Sequence, residues 1–328
     1  MTKPVTNVLG EMIKRAMWLS ASLVAVAFGA IGAASAQTKP ECSQDYVAKT
    51  ESESAQSQSE KQPLNTCLAV ASAPAETSDN PNTAAAEVSQ LAKKTQNPIG
   101  DLISVPFQNN TNFGFGPHRG AQDVLNIQPV IPIHVTSDWN VITRTILPLV
   151  WSPSLSSVRT VPFGTAPTSF SAFVSPREPT NGWLWGFGPV AQIPTMSSST
   201  LGSREWGGGP TAVIVHMSSH IVAGALANNV WSFGGTSRPG DNRYETFLAQ
   251  PFFNYNFDKG WYAGTSPIVT ANWQAKGEKW TVPVGANVGR VIRIGDQPVN
   301  LLAGAYYNVV TPTYGGEWQL RTHVTLIF

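Results

Sequence analysis

The sequence predicts an all-β protein, a transmembrane antiparallel β-barrel of about twelve strands preceded by a disordered N-terminal tail. Three observations carry this reading. Long stretches alternate apolar and polar residues with a period of two, the spacing at which successive side chains leave a strand on opposite faces. Short turns alternate with longer connections, as the two ends of a membrane barrel require. Only 12% of the 328 residues are charged while 42% are hydrophobic, against about a quarter charged in ordinary soluble domains.

Composition also excludes several classes. A formal net charge of +1 gives no basic excess of the kind that nucleic-acid binding demands. The body of the chain lacks the repeated apolar runs of about 20 residues that a helical membrane protein needs. Gly and Pro number 28 and 25, heavy punctuation for any helix-rich fold.

The first 36 residues read as a secretory signal peptide. Lys14 and Arg15 precede an apolar run from Ala16 to Ala33, and Ala34-Ser35-Ala36 stands before Gln37, the order of charge, apolar core and small cleavage residues that signal peptidase needs. An uncleaved anchor is the rival reading. Residues 37–97 are rich in Ser, Gln, Glu, Thr, Ala and Lys and nearly free of aromatics, too polar to offset the entropy of ordering. They are read as a flexible periplasmic tail holding one short helix from Thr83 to Lys94. Cys42 and Cys67, the two cysteines, both lie in it. In an oxidising compartment they can form a disulfide or stand as two free thiols, and spacing permits both.

Residues 98–328 form the barrel. From Tyr244 to Phe257 one face carries Phe247, Ala249, Pro251, Phe253, Tyr255 and Phe257, and the other Thr246, Gln250, Asn254 and Asn256. In the next stretch Trp261, Ala263, Val269, Ala271 and Trp273 oppose Tyr262, Ser266, Thr270, Asn272 and Gln274. The last sets Trp318, Leu320, Val324, Leu326 and Phe328 against Gln319, Arg321, His323 and Thr325, with Ile327 breaking the rule. One greasy and one polar face per strand is the pattern of an antiparallel sheet wetted on one side.

Turns at Ser137-Asp138, Ser218-Ser219, Asp258-Lys259-Gly260 and Gly295-Asp296-Gln297 alternate with connections near 152–167, 195–207, 234–243 and 311–316. An even strand count places both termini beside the short, periplasmic turns. Trp151, Trp206, Trp231, Trp273, Trp280 and Trp318 fall near the longer connections, and Trp139, Trp261 and Phe257 near the turns, two aromatic girdles at headgroup level. Lipid and lipopolysaccharide of the outer membrane would surround such a wall. A soluble β-sandwich or lipocalin-like barrel is the alternative, but it would need charged outward faces that this chain lacks. Pro129, Pro132, Pro148, Pro189, Pro251, Pro267 and Pro283 fall inside the expected strands, where each lacks a ladder donor, so bulges or interruptions are expected there. The terminal Phe328, with apolar residues at alternate positions before it, is similar to the signature read by the barrel-assembly machinery of Gram-negative bacteria.

The stretches NPIGDLISVPFQNNTNFGFGP, LNIQPVIPI, ITRTILPL, GFGPV, WGGGPTAV, NNVWSF, QPFFNYN, SPIVTANW and VPVGANVGRV together resemble a family of uncharacterised Gram-negative outer-membrane barrels. Its members are labelled putative transporters and sometimes carry a "neuromedin U" name. They are similar to barrels associated with the meta-cleavage pathway of phenol degradation. The resemblance runs from about Asn97 to Phe328. It implies an outer-membrane barrel and the passage of small molecules, supplies no catalytic residues, and is the sole basis for expecting small aromatic solutes.

No enzyme or cofactor motif emerges. His118, His134, His216, His220 and His323 form no HExxH or Cys/His pattern, and GFGPHRG and WGGGP lack the Lys-Ser/Thr of a phosphate loop. His216 with Ser218 or Ser219 is the one formal candidate for an outer-membrane lipid hydrolase. The lumen carries the remaining information. Strand parity points Arg144, Arg293 and Arg321 inward with almost no acidic partner in the strands, and unpaired arginine in a narrow wet channel attracts anions. Asn254, Asn256, Asn272 and Gln274 line the same interior. The alternative is that the arginines pair with loop acids such as Asp138, Asp296 or Glu317, or plug the lumen of a scaffold barrel. A barrel of about twelve strands lies between the filled and the open widths.

Overall fold

In the computed structural model, residues 81–153, 163–235 and 243–328 are described. The expected signal peptide, residues 37–80 of the tail, and Cys42 and Cys67 lie outside them. The chain forms a closed antiparallel barrel of twelve strands. These are β1 (Ser104–Phe115), β2 (Gly120–Ile127 and Val130–His134), β3 (Trp139–Trp151), β4 (Phe163–Thr165 and Thr168–Pro176), β5 (Trp183–Ile193) and β6 (Glu205–Met217). The rest are β7 (Ile221–Gly235), β8 (Glu245–Asn256), β9 (Trp261–Thr265 and Val269–Asn272), β10 (Trp280–Ile294), β11 (Gln297–Val310) and β12 (Trp318–Ile327). Each strand pairs with its neighbours in sequence, and β1 closes on β12 from Ser104↔Ile327 to Phe113↔Trp318. Closure removes the edges that would leave backbone groups unpaired in lipid.

The two faces fall as the alternation requires. Phe253, Tyr255 and Phe257 of the β8 stretch are exposed outward while Asn254 and Asn256 are buried inside. In the last stretch Trp318 is 53% exposed and Arg321 2%. Ile327, the apolar residue out of pattern, points inward and is buried. Aromatic contacts mark both rims: Trp273 against Trp280 at 5.3 Å and Tyr307 against Trp318 at 5.0 Å at the long-loop rim, and Trp139 against Trp185 at 5.8 Å at the short-turn rim. One outward polar cluster interrupts the apolar wall, where Asp123 accepts from Thr111 Oγ1 at 2.6 Å and from Asn109 Nδ2 at 3.4 Å.

The prolines mark where the ladder gives way. Strand β2 breaks at Gln128-Pro129, β4 at Ala166-Pro167 and β9 at Ser266-Pro267-Ile268. Across the β4 break the register against β3 shifts by one residue; across the other two it is kept. Pro283 sits at a register shift between β10 and β11, and Pro189 and Pro210 face each other across β5 and β6. Each proline thus lies where a missing donor is shared with another irregularity or falls in a gap.

The long-loop rim is tied by charge. Arg119 meets Glu317 at 2.6 Å, and that hydrogen bond to the carboxylate raises the guanidinium pKa above its ordinary value. Glu278 accepts from the Thr313 amide and from Thr313 Oγ1, which holds its carboxyl below the ordinary range. These contacts tie the connection 311–317 to the turn 116–119 on one side and to the connection 273–279 on the other.

Before β1 runs helix α1 (Pro81–Thr95), close to the expected Thr83 to Lys94. Pro81 suits a first turn, where the missing N–H has no intrahelical partner. Lys93 and Lys94 lie in the last turn, where cations complement the exposed carbonyls. Asn97 precedes Pro98 and is thereby disfavoured from helical geometry. Its carbonyl accepts from Gly100 N and its Oδ1 from Ile99 N at 3.0 Å, turning the chain into the barrel.

Candidate functional site

The chain's own N-terminal segment is packed into the lumen at the short-turn rim. Ile99 is 1% exposed and belongs to an apolar cluster with Val130, Ile142, Phe173, Leu184, Val213, Val215, Val222, Leu226 and Phe252. Those partners are inward residues of β2 to β8, so one isoleucine from outside the wall completes a layer across the interior. Beside it Gln96 and Asn256 exchange amide hydrogen bonds, Nε2 to Oδ1 at 2.7 Å and Nδ2 to Oε1 at 3.3 Å. Glu87 of α1 meets Arg293 at 3.3 Å.

Helix α1 rests on the turn after β8. Gly260 has φ +77°, and a Cβ there would stand 2.6 Å from Val88 Cγ1 and 2.7 Å from the Val291 carbonyl. Gly260→Ala is therefore expected to loosen α1, from both the clash and a left-handed backbone that costs an ordinary residue about 1–2 kcal/mol. Limited proteolysis of the folded barrel checks this, with faster cleavage at Lys93 and Lys94 as the expected outcome.

Beyond the plug the lumen holds two cavities in series. The inner one, about 150 Å³, lies against residues 94–98 and is walled by Asn254, Tyr262, Asn300, Arg321 and His323 among others. The next, about 200 Å³, is walled by Asn126, Ser169, Thr211, Asn228 and Leu248 among others. Gln108, Gln128, Arg144, Leu226 and Gln250 line both and form a mostly polar layer between them. No Asp or Glu lines either cavity.

The sequence-selected residues separate into three groups. Arg144, Arg321 and Asn254 line the inner cavity, and Asn256 is spent on the plug. Arg293 has inward parity, but β10 ends one residue later and the side chain reaches Glu87 at the rim. Asn272 lies at the long-loop rim, where its Oδ1 accepts from the Gln274 amide at 3.1 Å, and Gln274 itself is in an exposed turn. None of the three arginines pairs with Asp138, Asp296 or Glu317.

Arg321 mends a break in the wall. Its Nη1 donates to the Ser266 carbonyl at 2.7 Å, its Nε to Asn110 Oδ1 at 3.1 Å and its Nη2 to Gln319 Oε1 at 2.9 Å. The guanidinium also stacks 4.6 Å from the Tyr306 ring. Tyr306 Oη takes the Ser266 amide at 3.3 Å and Asn287 Nδ2 at 2.9 Å. The Ser266 amide and carbonyl, stranded by the β9 interruption, are thus satisfied from inside. Arg144 is held far more loosely: among the described residues its one hydrogen bond runs from Nη2 to Gln128 Oε1 at 2.6 Å.

His216 packs on Trp183 with ring centroids 4.6 Å apart, and its Nδ1 has no hydrogen-bond partner; Ser219 bonds His220 instead, at 3.0 Å. Among the described residues no group of three or more His, Cys, Asp or Glu is placed to hold a metal ion. Sequence reasoning missed Ile99, Gln96, Gln108, Gln128 and Tyr306 as parts of the site. A lone apolar residue in NPIGD, or a glutamine on a polar face, carries no signal until the barrel brings its partners round.

The fold and the lumen define a membrane-type β-barrel with its N-terminal segment packed into the interior. No protein-family model matches the chain, and no curated protein does so. Among solved structures, an outer-membrane channel from Pseudomonas putida F1 is similar at a TM-score of 0.53 and 15% identity, covering 69% of this chain and 94% of that one. The toluene transporter TodX of Pseudomonas putida matches at a TM-score of 0.32 and 9% identity over 69% of this chain and 86% of its own. The first likeness establishes the fold; the second is too loose to bear on this chain.

Proposed function

We propose that this chain is an outer-membrane barrel through which small solutes pass by diffusion, with the N-terminal segment holding the lumen shut in the form described here. The observation that carries the proposal is the pair of cavities in series along the lumen, with walls rich in amide and hydroxyl groups. A barrel serving only as a scaffold has no use for two such polar cavities. The apolar exterior with aromatic rims supports a place in a membrane, and the short-turn rim beside both barrel ends suits the periplasmic side. Kinship with barrels of the meta-cleavage pathway of phenol degradation is proposed on the motifs quoted above alone. An enzymatic reading ranks last, since among the described residues His216 packs on Trp183 and Ser219 bonds His220 instead.

Planar-bilayer conductance of the refolded chain from Gln37 to Phe328 tests the proposal. Discrete steps are expected. A folded, heat-modifiable barrel without steps would favour the scaffold reading.

We propose as well that β12 together with Phe328, which follows it, is what the assembly machinery binds. Its terminal ring is exposed, and the Phe328 amide donates to the Ile103 carbonyl at 2.9 Å, pinning the end of the chain beside the start of β1. Deleting Phe328 is expected to lower the yield of folded protein in outer-membrane fractions while the purified, refolded barrel keeps its heat-modifiability. Equal yields in cells would contradict it.

A further inference from the structure

We propose that the inner cavity is a binding site for a small organic monocarboxylate with an apolar body. This rests on the solute-passage reading and names the class of solute. Arg144 and Arg321 line the cavity, Lys94 stands at its edge, and none of the residues lining it is acidic. A guanidinium has five N–H donors, and among the described residues Arg144 has one neutral acceptor, Gln128 Oε1. Arg321, among the same residues, is bound by neutral oxygens. Charge withdrawn from water without a counter-charge is strongly disfavoured, so an anion entering this cavity is drawn in by the groups that already line it.

The shape of the anion follows from the rest of the wall. Val130, Leu226, Phe252 and Leu302 face the same space, so one end of a ligand meets cations and amides while the other meets aliphatic and aromatic carbon. A multiply charged phosphate would leave that apolar half unused. A planar carboxylate matches a guanidinium through two parallel N–H···O bonds. The cavity volume of about 150 Å³ equals that of an engineered apolar cavity known to accept benzene, which sets the size of the body.

The test is calorimetric titration of the detergent-purified chain, Gln37 to Phe328, with benzoate, benzyl alcohol and benzylamine as probes. Benzoate is expected to bind, benzyl alcohol at least about tenfold more weakly, an equilibrium ratio worth about 1.4 kcal/mol, and benzylamine not measurably. Arg144→Gln is expected to lower benzoate affinity by a similar factor while heat-modifiability is unchanged. Benzyl alcohol binding as tightly as benzoate, or an unaltered affinity in Arg144→Gln, would overturn the proposal. If that variant does not fold, the ranking of the three probes on the unmodified chain decides alone. Benzoate binding by a barrel that passes no current would sink the passage reading and keep this site. Current without preference for benzoate would do the reverse.

Discussion

Ile99→Ala is expected to open the lumen. The side chain is buried in an apolar layer built from seven strands of the wall, and truncating such a residue costs about 2–5 kcal/mol. That loss falls on the docking of the N-terminal segment rather than on the barrel, whose strands close without it. Because about 1.4 kcal/mol is a factor of ten in a population, that cost would raise the undocked form by roughly one and a half to three and a half orders of magnitude. Longer open times and larger mean current than the unmodified chain are the expected record in planar bilayers, with heat-modifiability retained. Replacing both Gln96 and Ile99 should go further, since the amide pair with Asn256 is then lost as well.

Arg321→Met is expected to destabilise the barrel itself. The substitution keeps much of the side-chain volume but removes the donors to the Ser266 carbonyl, Asn110 and Gln319. A buried acceptor left without a partner costs about 1–3 kcal/mol, and the Ser266 carbonyl lies at a strand break where no ladder neighbour replaces the donor. A loss on the order of 2–4 kcal/mol is expected, read as a lower midpoint in urea unfolding followed by the heat-modifiable gel shift. Arg321→Lys should recover part of it, because an ammonium reaches one acceptor where the planar fork reaches several. Arg144→Met, with a single neutral partner at stake, should shift the midpoint far less.

The contrast between these two arginines shows what a sequence can and cannot convey. The wall was legible because alternation is local: Phe253 and Asn254 differ in facing whatever the rest of the chain does. Parity also turned Arg144, Arg293 and Arg321 to one side. What each does there depends on partners remote in sequence, Gln128 for one, Glu87 for the next, Ser266 for the last. Strand ends decided two more cases, since Asn272 and Gln274 share a face with Tyr262 yet lie at and beyond the rim. The prolines announced that the ladder must fail but not that Tyr306 and Arg321 would complete it. The segment before the barrel was the least legible. Its composition is that of a solvated tail, and the residues that dock it, Val88, Ala92 and Ile99, are too few to form a pattern without the surface that receives them.

Solute entry into liposomes asks whether the stacked cavities are a path. Vesicles carrying the chain from Gln37 to Phe328 should swell faster than empty vesicles in a small solute. Vesicles carrying Ile99→Ala should swell faster still, and both rates should fall as solute size grows. If neither protein raises the rate above that of empty vesicles, although both are heat-modifiable barrels, the lumen is not a path and the account is wrong.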